Sequence, residues 1–273
     1  MAIHSPSNRN TPSSEVAAVL TGGVTELSLA CYGKGVFMNS PIGPARVDRL
    51  IQEMNFDAGQ QVLDVGCGTG ELLLRIVEAH GVRGLGVDRD VEKVAEAQAA
   101  ASRRLPVGAI EFRVQDAAEL DAPGRRYDRA LCVGSTHAFG LGQGAYEYAI
   151  AALMRLVAPG GLILVGEPYW KQPPTSEYLA LLGEPIGIYR DHVENVLFAE
   201  RKGLVPLYAA VSSDDEWDDF EWAHRRRHEE RAAVGPKTAQ AQEGLEQSRR
   251  WRDGYLRWGR STMGFGFYVF RNG

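Results

Sequence analysis

The sequence predicts an α/β protein in which seven strands form a mostly parallel sheet with helices on both faces. Two observations carry this. Between Gln60 and Pro168, short apolar runs alternate with helical segments; strands that alternate with helices imply right-handed crossovers and parallel pairing. The joints hold residues that stop a helix, such as Gly81 and the run Pro159-Gly160-Gly161. The 273 residues suffice for one domain with an insertion. A hydrophobic share of 44% and a charged share of 24% belong to a globular protein rather than a disordered one.

In chain order, residues 1–13 are rich in Ser, Asn, Pro and Thr and predict a disordered start. Residues 14–59 predict an N-terminal helical lid: a weak helix from Ser14 to Glu26, a loop through CYGKGVFMNSPIGP, and an amphipathic helix from Ala45 to Met54. Val47, Leu50, Ile51 and Met54 share one face of that last helix. The core is assigned to residues 60–212 and 263–273. Within it QQVLDV, RGLGVD, AIEFRVQD, YDRALCVG and LILVGEP read as strands one to five. ELLLRIVEAHG, VEKVAEAQAAASRR and YEYAIAALMRLVAPGG read as helices. After Pro168 the pattern loosens. YWKQPPTSEYLALLG reads as a loop and short helix, DHVENVLFAERKG as a helix, and GLVPLYAAVSS and MGFGFYVFRNG as strands six and seven. Residues 213–262, between those two strands, are too many for a hairpin turn. They predict a cap of two helices, roughly Glu216–Ala233 and Thr238–Trp258.

Composition narrows the function. A net charge of −5 argues against nucleic acid as a partner, since such binders neutralise phosphates with a basic face. Cys31, Cys67 and Cys132 form no C-x-x-C pair, so neither a metal site nor a disulfide framework is expected, and a reducing cytoplasm fits. No apolar run approaches the ~20 residues that span a bilayer, so no membrane partner is expected. The N-terminus lacks the apolar stretch of a secretion signal. The expected partner is a small molecule, handled by a monomer or homodimer.

The most informative segment is VLDVGCGTGELLL, Val62 to Leu74. A strand ends in a glycine-rich turn and a helix begins, so the backbone can approach a ligand without a Cβ in the way. A dinucleotide-binding turn would read G-x-G-x-x-G. Here Gly66 and Gly68 fit, but the third place is Glu71, whose carboxylate would repel a pyrophosphate. Asp64 at the strand end is equally unsuited to a dianion. It suits a ligand with a positive amino group and a sulfonium, which describes S-adenosylmethionine.

VLDVGCGTG resembles the first motif of class I methyltransferases, which have a Rossmann-like fold. Further segments match in order. GLGVDRD ends the second strand at Asp88, which the resemblance assigns to the ribose hydroxyls. VQDAAEL places Asp116 where the family binds the adenine amino group, with the Ala117 amide beside it. Val133 and Gly134, in YDRALCVGSTHAF, would line the methionine end, and VAPGGLILVGEP resembles the signature leading into strand five. The resemblance thus implies a cofactor set of Asp64, Gly66, Cys67, Gly68, Asp88, Arg89, Asp116, Ala117, Val133 and Gly134. Asp88 and Asp116 also suit helix N-caps. CVGSTHAF, GGLILVGEPYW and DDEWDDFEW look in particular like the YjhP-like bacterial methyltransferases. The implied reaction is in-line methyl transfer to a nitrogen, oxygen or sulfur nucleophile, a step that needs alignment and exclusion of water.

Candidate catalytic groups lie at the carboxyl ends of strands four and five. His137 could deprotonate the acceptor, or hold its loop. Glu167 could bind the substrate or fix a loop by a salt bridge. Tyr169 and Trp170 could shield the methyl group or simply pack. Tyr32 and Phe139 join Trp170 as candidate substrate contacts, and Phe37 lies in the same N-terminal region as Tyr32. Trp217, Phe220 and Trp222 in the insertion suit packing better than a ligand box. Asn39 suits a turn. The run RRRHEER, Arg225 to Arg231, reads as a solvated helix face. The competing readings are an RNA or protein methyltransferase and a non-catalytic cofactor-binding protein.

Overall fold

The computed structural model describes residues 38–120, 127–236 and 238–273. The expected helix of residues 14–26, Tyr32 and Phe37 lie outside them. The described chain opens with α1 (Pro44–Met54), then β1 (Gln61–Val65), α2 (Glu71–His80), β2 (Arg83–Asp88), α3 (Val91–Arg104), β3 (Ile110–Val114) and β4 (Tyr127–Val133). It continues with α4 (Ala145–Leu156), β5 (Val157–Trp170), α5 (Ser176–Leu182), α6 (His192–Arg201) and β6 (Leu204–Val211). Two cap helices, α7 (Asp214–Val234) and α8 (Ala239–Gly254), precede β7 (Met263–Asn272).

The seven strands form one sheet in the order β3-β2-β1-β4-β5-β7-β6. β7 alone runs against its neighbours β5 and β6. The strand order reverses between β1 and β4, and in open α/β sheets ligands bind at such a switch point. Local chemistry sets the helix ends. Pro44 opens α1, where its missing N–H is no loss. Asp90 caps α3 by accepting from the Glu92 and Lys93 amides. Gly81 closes α2 at φ 63°.

Both sheet faces are covered. On one, Val47 and Leu50 of α1 and Leu73 and Ile76 of α2 meet Val62, Leu131, Leu164 and Phe267. On the other, Ile150 and Leu153 of α4 and Phe198 of α6 meet Leu63, Val65, Val165 and Phe270. Alternating strand residues feed the two layers, and each fully buried side chain contributes about 1.5–3 kcal/mol.

Two expectations around β5 are corrected. The helix expected to stop at Pro159 ends earlier, at Leu156, and β5 starts at Val157. Pro159, Gly160 and Gly161 form an irregularity inside the strand: Val157 pairs with Tyr127, then pairing resumes at Leu162 with Arg129. Tyr169 and Trp170, expected in a loop, are strand residues opposite Gly264 and Met263. Gly264 makes this possible, because a Cβ there would lie 2.4 Å from the Tyr169 ring.

The cap packs on the α1–α3 side through Trp217 and Tyr255, which share that core with Tyr178 of α5. A Cβ on Gly254 would lie 1.9 Å from Leu181 of α5, so α8 sits directly against that helix. Glu216 completes a capping box with Ser213. It also accepts from the Gly43 amide at 2.9 Å and from Arg46 Nε at 2.8 Å. Among the described residues no helix is long and apolar enough to cross a membrane.

Candidate active site

The site begins at the turn after β1. Gly66, Gly68 and Gly70 all have positive φ, at 69°, 54° and 77°, which favours glycine. Gly66 is doubly required: a Cβ there would lie 2.3 Å from the Ser135 Cβ. The turn is pinned to β2, since the Gly66 and Cys67 amides both donate to the Val87 carbonyl. Asp88 then ties two turns together. One oxygen accepts from the Gly68 amide at 2.8 Å and the other from the Asp90 amide at 3.0 Å. A carboxylate has about four acceptor positions, so these bonds leave Asp88 able to accept from a diol.

Asp116 takes the N-cap role, accepting from the Ala118 amide at 2.9 Å. Its other oxygen lies 3.7 Å from Arg89 Nε in a largely exposed pair. Ala117 beside it is buried.

The turn after β4 faces the first turn and is anchored three times. The Gly134 amide donates to the Gly166 carbonyl. Ser135 Oγ donates to the Val65 carbonyl at 2.7 Å. Thr136 Oγ1 donates to Glu167 Oε2, also at 2.7 Å. Val133 packs against the sheet core, and a Cβ on Gly134 would lie 2.9 Å from Ser40 Oγ. No role for Ser40, Ser135 or Thr136 is legible in the sequence. The run Gly-Ser-Thr held the only signal, and its partners are 31 and 70 residues away.

Charge in this crevice is unbalanced. Asp64 is 4% exposed, and its pKa is pushed up to about 7, first by burial and then by the Asp88 carboxylate. Nothing among the described residues pulls it back. A buried carboxylate without a cation is costly, and a ligand carrying positive charge would relieve it, whereas a pyrophosphate would worsen it. The residues therefore fit S-adenosylmethionine. Burial, Asp64 and Asp88 also push the Cys67 thiol far up, so it is a packing group and not a nucleophile.

His137 stands in the short helical turn Thr136–Phe139. Burial lowers its pKa, and the charges acting on it are Asp88, Lys93 and Arg89. The imidazole is thus neutral near pH 7 and lies toward the Asp88 side. Glu167 is buried and pushed up to about 8 by that burial, against the opposing pull of the Thr136 hydroxyl and Arg190. It is mostly protonated at neutral pH, and it makes a loop-fixing hydrogen bond where a salt bridge was considered. Tyr169 lies on the Glu167 face of β5, its ring 5.2 Å from that of His192. Trp170 points to the opposite face, where its contacts are those of packing. Its indole donates to the Ile186 carbonyl at 2.9 Å and its ring meets Tyr178 and Tyr189 edge-on. Phe139 packs against the core layer of α4 and α6. Trp222 is 44% exposed, whereas Trp217 is buried against Phe265. Among the described residues no cluster could hold a metal ion.

Residues 62–161 match the family model described as a methyltransferase domain. The chain is similar to the uncharacterized protein YjhP of Escherichia coli (strain K12), 33% identical over 143 residues, 52% of this chain and 56% of that protein. It is also similar to the 27-O-demethylrifamycin SV methyltransferase of Amycolatopsis mediterranei (strain S699), 28% identical over 198 residues, 71% of this chain and 60% of that enzyme. It thus spans just over half the length of these relatives. Among solved structures, the S-adenosylmethionine-dependent methyltransferase of Geobacter sulfurreducens in complex with S-adenosyl-L-homocysteine superposes with a TM-score of 0.78. That match has 25% identity and covers 94% of this chain and 97% of the other.

Proposed function

We propose that this protein transfers the methyl group of S-adenosylmethionine to a nucleophilic atom of a small molecule by in-line displacement. The observation that carries the reading is the buried Asp64 carboxylate beside Asp88, at the mouth of a glycine turn, with no cation among the described residues to balance it. In this reading Asp64 receives the amino group of the cofactor and Asp88 the ribose hydroxyls. Asp116 and Ala117 flank the adenine, with Arg89 at its edge. Gly66, Cys67 and Gly68 bring backbone close to the ligand, and Val133 and Gly134 border its methionine end. The cofactor supplies the electrophilic methyl group; the chain aligns the nucleophile and keeps out water.

A small-molecule acceptor agrees with the similarity to the rifamycin methyltransferase, and the acceptor atom is nitrogen, oxygen or sulfur. His137 serves as the base where the nucleophile arrives protonated, since its neutral ring can accept a proton at pH 7. Glu167, largely protonated there, positions the His137 turn through Thr136, and Tyr169 walls the crevice beside it.

The test is incubation of the purified protein with methyl-tritiated S-adenosylmethionine and a small-molecule metabolite extract. The expected result is a labelled product that Asp64→Asn does not form. Absence of any labelled product, together with no binding of S-adenosylhomocysteine by calorimetry, overturns the reading.

A further inference from the structure

We propose that a strip of α7 formed by Trp217, Phe220 and His224 is the recognition surface for the methyl acceptor, and that the acceptor is an aromatic compound carrying an oxyanion. The inference rests on the methyl-transfer reading above. It starts from unmet hydrogen bonds. Among the described residues, the buried side-chain nitrogens without a partner are Trp217 Nε1, His224 Nε2 and Arg225 Nε, and all three lie on α7. Each such group costs about 1–3 kcal/mol, and native proteins hold few of them. Three on one helix, each closed to solvent, mark a seam that another molecule completes.

The strip has a direction. Trp217 and His224 are two helical turns apart, so they share a face and are separated by about 10 Å along the axis. Phe220 fills the interval, its ring 6.3 Å from that of Trp217 and edge-on to that of His224 at 4.7 Å. The Trp217 ring also lies 6.4 Å from that of Phe265. Phe265 in turn borders the crevice: Cβ atoms on Gly134 and Gly166 would lie 3.7 and 2.9 Å from its ring. The strip therefore starts at the turn after β4 and leads away from it.

Its chemistry selects a ligand. The Trp217, Phe220 and Phe265 rings favour a flat aromatic body. An indole N–H is a donor only and needs an acceptor atom opposite it. At the far end burial, and after it the charges of Arg227, Arg225 and His228, hold the His224 ring neutral. A positive field around a neutral imidazole suits an oxyanion. The nearby Glu221 carboxylate is turned toward α8, where it accepts from the Trp251 indole at 3.0 Å. The acceptor then lies with its nucleophile toward Trp217 and its acid group toward His224.

The probe is 3,4-dihydroxycinnamate, which has an aromatic ring with hydroxyls at one end and a carboxylate at the other. It is titrated into nitrogen-15-labelled protein saturated with S-adenosylhomocysteine. The chain has five tryptophans, and the indole signal missing from Trp217→Phe identifies that N–H. The expected result is a saturable downfield shift of that signal. Binding should weaken about tenfold in Trp217→Phe and in His224→Phe, the size of one lost hydrogen bond, while S-adenosylhomocysteine affinity stays within twofold. Trp222→Phe, an exposed change on the same helix, should bind the probe like the parent. No shift at saturation, no probe binding to the loaded protein, or unaltered affinity in both strip variants overturns the proposal and leaves methyl transfer standing. Failure to bind S-adenosylhomocysteine overturns the methyl-transfer reading as well.

Discussion

The two walls of the crevice are built on opposite plans. On the β1–β4 side the polar groups are hydrogen-bonded donors or carboxylates: Asp88 holds two amides, Ser135 holds β1, Thr136 holds Glu167, and among the described residues only another acid, Asp88, acts on Asp64. On the cap side the unmet groups are nitrogens, set among arginines and aromatic rings. One wall is short of positive charge and the other of hydrogen-bond acceptors. The lesson is that the two walls are suited to different molecules, a cation and an oxygen-bearing partner, held side by side.

Four substitutions test that contrast. The largest effect is expected for Gly66→Ala. Its Cβ would collide with Ser135 at a positive φ, so urea unfolding should show a loss of about 3 kcal/mol or more. A variant as stable as the parent would mean that the two turns are not interlocked. Next is Asp64→Asn, which should weaken S-adenosylmethionine binding about a hundredfold, as expected for a buried charge pair. The same change should raise the melting temperature of the ligand-free protein at pH 8 and leave it unchanged at pH 3. The sign follows from linkage: the folded pKa is raised from 3.8 to about 7, so the folded state holds its proton more tightly than the unfolded chain. Stability is then full below pH 3.8 and is lost as pH rises through 7. A melting temperature at pH 8 no higher than the parent's would show that Asp64 carries no such burden. Asp88→Ala should weaken cofactor binding at least tenfold by calorimetry, the scale of one or two charge-assisted hydrogen bonds. Unchanged affinity would remove Asp88 from the site. The smallest effect is expected for Thr136→Val, which should slow turnover a few-fold through a displaced His137 while Thr136→Ser restores it, the size of one neutral hydrogen bond. Equal rates in all three proteins would show that the bond to Glu167 positions nothing.

The glycine turn and its two acids were legible in the sequence because their logic is local. Asp64, the three glycines and Asp88 lie within about 25 consecutive residues, and each has a conformational or charge reason that a short window exposes. The sheet was legible for the same reason: apolar runs and helix stops recur at short range. What was not legible depends on distant partners. Nothing near Trp170 says that its indole will find the Ile186 carbonyl, and nothing near Thr136 points to Glu167. The cap is the clearest case. RRRHEER reads as a solvated face, yet Arg225 turns inward and donates to the Ser248 carbonyl at 2.6 Å. α7 has so few apolar residues that no helical period marks its buried side. The pairing of α7 with α8 decides it.

Glu216 ties these regions in a further way. Its carboxylate closes the first turn of its own helix through the Ser213 amide and at the same time receives Gly43 and Arg46 from a stretch 170 or more residues earlier. Neither end can fray alone, because opening either one strands the same acceptor. The entry to α1 and the root of α7 therefore form a single cooperative unit, and their amides should exchange with deuterium at a common rate.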